Sequence, residues 1–186
     1  MAELWFVRHF RTPWNAEGRI QGRRDVALEE PLSDADRRAL NDNLLRLKGQ
    51  EFGAVWCSPL LRARQTAALH GYDAPELRDD LAELNFGPWE GQLWSDMETA
   101  HPGGWHNAPH SLTLGEPFDG FADRVRRVAD LVAGRDGAPV LVFGHGAWAN
   151  CLQAISAATS PEAMNQHQTL NGAVLRFGQD GTLIDE

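Results

Sequence analysis

Lysine is nearly absent from this chain. Among seventeen basic residues only Lys48 is a lysine, and twenty-six acidic residues bring the formal charge to -9. That balance disfavours a broad nonspecific surface for nucleic acid or an acidic membrane, while leaving room for a local basic pocket. No basic stretch interleaved with aromatic residues occurs, which argues against nucleic-acid binding. Cysteine is also scarce. Cys57 and Cys151 lie outside any metal-ligand spacing, are too few for a disulfide framework, and fall in apolar or helical runs, so both are expected as core thiols. The first residues, with Glu3 and the charged Arg8–His9 break, read as neither a signal peptide nor a membrane span. A cytoplasmic, reduced protein is the expectation.

The rest of the composition is that of a folded chain. A length of 186 residues suits one sizeable core and is short for two, so a single domain over 1–186 is expected. The preference for arginine suits oxyanion recognition and is equally the mark of a GC-rich genome.

The stretch ELWFVRHFRTPWN, residues 3–15, organises the remainder. An apolar run from Leu4 to Val7 breaks at Arg8 and His9, as when an inner strand delivers side chains to a site at its carboxyl end. Pro13 reads as a helix-unfriendly stop and Asn15 as a turn former. Residues 16–33, punctuated by Gly18, Gly22 and Pro31, form a long loop. Ser33 as N-cap, with Asp36 three residues on, opens a helix over about 33–48 carrying Leu40, Leu44 and Leu47. A second parallel strand runs from Phe52 to Cys57, and a helix from Leu61 to His70. Leu81–Phe86 is irregular, Gln92–Thr99 a short helix, and residues 101–117 a second long loop. Phe118, Phe121, Val125, Val128 and Val132 recur at helical spacing. Val140–Phe143 is a third buried strand that, like the first, ends in a histidine, here within Gly144-His145-Gly146. A helix over Ala147–Ala158, a last strand over Ala173–Phe177 and a hairpin-like tail complete the chain. Strands alternating with helices indicate an α/β sandwich with a mostly parallel sheet. In such a sheet Arg8, His9, Ser58 to Arg62, Glu83 and His145 converge at one edge.

These segments resemble the histidine phosphatase superfamily, the phosphoglycerate mutase-like family, over roughly Leu4 to Phe177. VRHFRTPWN resembles the opening Arg-His motif, GRIQGRRDVAL (18–28) the glycine-containing substrate loop, CSPLLRARQTA (57–67) the second arginine motif, LAELNFGPWEG (81–91) the acidic motif, and VFGHG (142–146) the second histidine motif. The resemblance implies a three-layer α/β sandwich and metal-independent hydrolysis of a small phosphorylated metabolite, with no cofactor. His9 is then the nucleophile, and Arg8, Arg62 and His145 hold phosphate oxygens. Glu83 is the proton donor, a role that needs a protonated carboxyl at the start. Asn15, Gln21 and Gly22 are secondary phosphate or substrate-loop contacts. Arg64 is expected to be peripheral, and Glu90 to brace the segment after it.

Three departures stand out. Phe10 occupies a position where the family has Gly or a small residue, and is expected to narrow the pocket or shift the strand end. Arg11 stands where Glu is frequent, and either adds charge for an acidic substrate or faces solvent. Gly115-Glu116-Pro117 also replaces a Gly-Glu-Ser pattern. Among the tryptophans, Trp14, Trp89 and Trp105 are candidates for pocket walls, Trp5, Trp56 and Trp148 for the core, and Trp94 is left open. His101, His106 and His110 match no tight zinc pattern. A cofactor-dependent phosphoglycerate mutase and a weakly active phosphate-binding scaffold remain as alternatives; the substrate and any homo-oligomer are left open.

Overall fold

The computed structural model describes residues 1–185. Six strands form one sheet: β1 (Leu4–Arg8), β2 (Ala54–Cys57), β3 (Glu76–Leu77), β4 (Val140–Gly144), β5 (Val174–Phe177) and β6 (Leu183–Asp185), in spatial order β3-β2-β4-β1-β5-β6. The β3-β2, β2-β4 and β4-β1 pairs are parallel, and β5 and β6 add an antiparallel edge. Every residue of β4 is buried, as its unbroken apolar run requires of a central strand covered on both faces.

The alternation of side chains along the strands creates two cores. Leu4 and Phe6 of β1, Val140 and Val142 of β4, and Leu175 of β5 face one side. There they pack with α6 (Phe118–Ala133) and α7 (Gly146–Ser156). Trp5, Val7, Cys57, Leu141 and Phe143 face the other side, with Leu47 of α2 (Asp34–Leu47) and Ala63 and Ala67 of α3 (Leu61–Leu69). Helices thus cover both faces in three layers. The apolar stripe of α6 read from the sequence is buried along its whole length. Both cysteines are buried, and burial pushes each thiol up to about 12.

Three local expectations need correction. Pro13 does not stop a helix; it opens α1 (Pro13–Ala16), with Thr12 as N-cap, because the missing N–H matters least at a helix start. Residues 101–117 are not one plain loop: α5 (Gly104–Asn107) and a 3-10 turn at Pro109–Ser111 interrupt it. In α2 the Ser33 cap is present, its hydroxyl accepting the Asp36 N–H at 3.1 Å, but Leu44 is exposed and Leu47 carries the packing. The remaining helix, α4, spans Trp94–Ala100.

Candidate active site

The parallel strands β1, β2 and β4 end in register, with Arg8 beside Gly144 and Cys57 beside Phe143. The ladder continues one residue further, since the His9 N–H donates to Gly144 O and the Ser58 N–H to Phe143 O, both at 3.0 Å. His9, Ser58 and His145 therefore meet at one sheet edge. The rings of His9 and His145 lie 5.3 Å apart. Beside them opens a cavity of about 150 Å³ whose wall includes Arg8, His9, Arg62 and Glu83. A larger hollow of about 270 Å³, near Leu4, Val132, Leu152 and Phe177, has no arginine or histidine in its wall.

His9 is buried, with Nδ1 2.6 Å from the carbonyl of Phe10. A carbonyl only accepts, so Nδ1 carries the proton and Nε2 is left with its lone pair. Burial first, then the charges of Arg62 and Arg8, hold the ring well below the usual histidine range and thus neutral near pH 7. His145 is fully buried and is not part of the cavity wall. Its Nε2 is 2.7 Å from Ser58 Oγ, and its Nδ1 has no partner. Burial, followed by Arg62, His9 and Arg8, likewise lowers its pKa well below the usual value.

Arg8 donates to the carbonyl of Thr169, and its buried Nε is unpartnered. A Cβ at position 146 would lie 2.8 Å from Arg8 Cζ, so Gly146 is what lets the guanidinium rest against the start of α7. Arg62, in the first turn of α3, donates from its two terminal nitrogens to Gly22 O and Arg24 O, each at 2.8 Å. It thereby fastens the 18–28 loop to the cavity. Its Nε is buried and unpartnered, and burial brings its pKa down to about 10 against the opposing pull of Glu83 and Asp25.

Glu83 accepts three backbone N–H groups: Leu84 at 3.0 Å, Ala147 at 3.0 Å and Trp148 at 3.1 Å. Two of these are first-turn donors of α7 that the helix itself leaves unpaired. The backbone around Glu83 is held by Arg124, whose Nη2 donates to Glu83 O at 3.0 Å and to Glu116 at 2.9 Å. Arg23 of the loop reaches the same carbonyl at 2.7 Å.

Asn15, Gln21 and Gly22 also line the cavity, yet each serves local structure. Asn15 Oδ1 accepts the Thr12 N–H at 3.1 Å in the α1 capping box, and Gln21 Oε1 accepts the Thr12 hydroxyl at 2.9 Å. Gly22 has a positive φ of 53°, and a Cβ there would lie 2.2 Å from Glu90 Oε1. Glu90 braces the loop rather than the segment after it, accepting the Arg23 N–H at 2.8 Å. Arg64 is exposed and outside the cavity.

Phe10 does not narrow the cavity. Its ring is buried against Gly172 and stacks on His70 with centroids 5.6 Å apart, while the His9–Gly144 bond keeps the strand end in place. Arg11 is half-buried and is not part of the cavity wall. Of the tryptophans, Trp105 and Trp94 reach the wall, whereas Trp14 and Trp89 do not; Trp5, Trp56 and Trp148 are buried in the core. Sequence reading missed Arg19, Phe86, Asn150 and Asn165 on the wall. Asn150 stands four residues after Gly146, on the same helical face, a spacing that could have revealed it. Asn165 sits in a 3-10 segment, Pro161–Gln166, with no motif to mark it. Among the described residues no group of three or more His, Cys, Asp or Glu side chains is placed to hold a metal ion, and no helix is long and apolar enough to cross a membrane.

A cavity walled by three arginines and a neutral histidine with a bare nitrogen suits an oxyanion and a nucleophilic attack on it. Comparison with known proteins decides the lineage: the family model of the histidine phosphatase superfamily, branch 1, matches residues 4–184. The chain belongs to that superfamily. A metal-independent phosphoserine phosphatase of Arabidopsis thaliana is 30% identical over 162 residues, which cover 78% of this chain and 65% of the relative, so this chain spans just under two thirds of that protein. A putative phosphoserine phosphatase 2 of Hydrogenobacter thermophilus is 31% identical over 154 residues, 78% of this chain and 74% of its own length. The solved phosphoglycerate mutase of Thermus thermophilus superposes with a TM-score of 0.75 at 29% identity, covering 98% of this chain and 96% of its own. The α/β sandwich with its mostly parallel sheet is accordingly the phosphoglycerate mutase-like fold.

Proposed function

We propose that this histidine phosphatase hydrolyses small-molecule phosphomonoesters through a phosphohistidine on His9. The observation that carries the reading is the lone-pair nitrogen of His9, fixed by the Nδ1–Phe10 bond in a cavity shared with Arg8 and Arg62. In the first step His9 Nε2 forms a bond to phosphorus as the ester P–O bond breaks. The departing oxygen takes a proton from Glu83. In the second, Glu83 takes a proton from water, the resulting oxygen attacks phosphorus, and the P–N bond breaks to release phosphate and restore neutral His9. Arg8 and Arg62 hold the equatorial oxygens through charge that is already in place before the reaction starts. Asn15 and the Gln21–Gly22 loop border the phosphate, and the His145 ring, 5.3 Å from that of His9, offers its unpartnered Nδ1 as a further donor.

The relatives include both phosphatases and a mutase, so the fate of the phosphoryl group is part of the test. His9→Ala should abolish acid-labile phosphoprotein formed from a labelled phosphate ester, and the wild type should release inorganic phosphate with chelator present. Undiminished labelling of the variant rejects His9 as nucleophile. Interconversion of monophosphoglycerates without phosphate release would select the mutase reading.

A further inference from the structure

The cavity wall has two chemically different halves. One carries Arg8, His9 and Arg62; the other carries Phe86, Trp94 and Trp105. We propose that the aromatic half is a subsite for the alcohol portion of the substrate, and that it selects a flat apolar group over one bearing an ammonium. This rests on the phosphatase reading and adds the substrate class to it.

The three rings form one cluster. Their centroids are separated by 5.0 Å for Phe86–Trp105, 5.4 Å for Phe86–Trp94 and 5.5 Å for Trp94–Trp105. The backbone that carries them is also tied down: the main-chain N–H of Trp94 donates to Gly18 O at 3.0 Å, and the main-chain carbonyl of Trp105 accepts from Asn165 Nδ2 at 2.5 Å. Phe86 is buried, whereas Trp94 is 37% exposed and offers an indole face at the mouth. Rings packed against one another bind a flat group with little ordering penalty. A cavity of about 150 Å³ leaves limited room beyond a phosphate, so the rest of an ester must lie along that mouth.

The charges on the wall point the same way. Glu83 is its one carboxylate, and both oxygens are already engaged by backbone N–H groups. A substrate ammonium would meet three arginines, Arg8, Arg19 and Arg62, against that single carboxylate, an unfavourable balance of charge. Arg19, the third arginine of the wall, is paired with Glu17 and donates to Gly91 O at 2.8 Å. A second anionic group on the substrate would have to displace those bonds.

Non-hydrolysable probes test this without relying on turnover. Calorimetric titration of the wild type with methylphosphonate, benzylphosphonate and 2-aminoethylphosphonate should show benzylphosphonate binding about tenfold tighter than methylphosphonate, in the range of one favourable ring contact. The aminoethyl compound should bind no tighter than the methyl one. Trp94→Ala should reduce the benzyl advantage about fivefold with methylphosphonate unchanged, and Trp94→Phe should keep most of it. Equal affinity for the methyl and benzyl compounds, tightest binding of the aminoethyl compound, or a benzyl advantage that survives Trp94→Ala would overturn the subsite while leaving the phosphate site standing. Failure of all three to bind would overturn the phosphate site itself, and the subsite with it.

Discussion

The carboxylate of Glu83 accepts the backbone N–H of Trp148 at 3.1 Å, so the proposed acid is also the N-terminal cap of the helix that follows His145. The same group positions the helix and, in the proposed mechanism, moves the proton. Glu83→Gln keeps one accepting oxygen but turns an amide N–H₂ toward a backbone donor. Stability should fall by about 1–3 kcal/mol, the range for a buried donor left unpaired. Turnover of alkyl phosphates should fall on the order of a hundredfold or more, and that of p-nitrophenyl phosphate far less, because a good leaving group needs little protonation. Steady-state kinetics on the two substrate types, with a urea melt alongside, checks both. Equal slowing would reject Glu83 as the acid.

Ser58 and His145 form a second working pair, at 2.7 Å. Ser58 Oγ also accepts the Leu60 N–H at 3.3 Å, which directs its own proton toward the imidazole. His145 would then hold its proton on Nδ1, the nitrogen without a protein partner, ready for a phosphate oxygen. Ser58→Ala should lower kcat/KM by about fivefold to tenfold, the effect of one orienting hydrogen bond of roughly 1 kcal/mol. Nitrogen-15 shifts of the His145 ring should report a change of tautomer in that variant; an unchanged tautomer population would remove Ser58 from the proposed mechanism.

Arg124 is a buried cation outside the cavity wall that holds the segment carrying Glu83. It donates to Asp80 O at 3.2 Å, to Glu83 O at 3.0 Å and to Glu116 at 2.9 Å. Arg124→Ala leaves Glu116 half-buried and those carbonyls short of a donor. A loss of about 3 kcal/mol in unfolding free energy is expected. Arg124→Lys should recover only part of it, since one ammonium cannot reproduce the fork. Chemical denaturation measures this directly. A variant as stable as the parent would show that water replaces the guanidinium.

Three buried histidines give the fold a pH dependence. His9, His70 and His145 all sit below the ordinary value of 6.5, in each case chiefly because burial disfavours the charged ring. Their burial in neutral form carries no protonation penalty above about pH 6.5. As the pH falls through that value the unfolded chain takes up protons that the folded chain does not, and stability is lost. Each histidine can contribute up to about 1.4 kcal/mol per pH unit. Urea unfolding at about pH 7.5, 6.5 and 5.5 should show stability falling at the lowest pH. A flat profile across that window would contradict the assignment.

The chain's own order of residues was enough to determine the strands that end in Arg8–His9 and Gly144-His145, the α6 stripe, the Ser33 cap and the buried thiols. Each of these is a local signal. Apolar period and the residues that interrupt it act within a few positions of one another, and a parallel sheet then brings those ends to one edge. Tertiary structure alone decided that Phe10 turns to His70, that Trp94 and Asn165 reach the cavity, and that Glu83 caps α7. Those outcomes depend on contacts between segments distant in sequence, whose geometry exists only once the sheet and its covering helices have packed. Gly22 unites both levels: its identity hints at a turn, but only the folded chain supplies the Glu90 carboxylate that leaves no space for a Cβ.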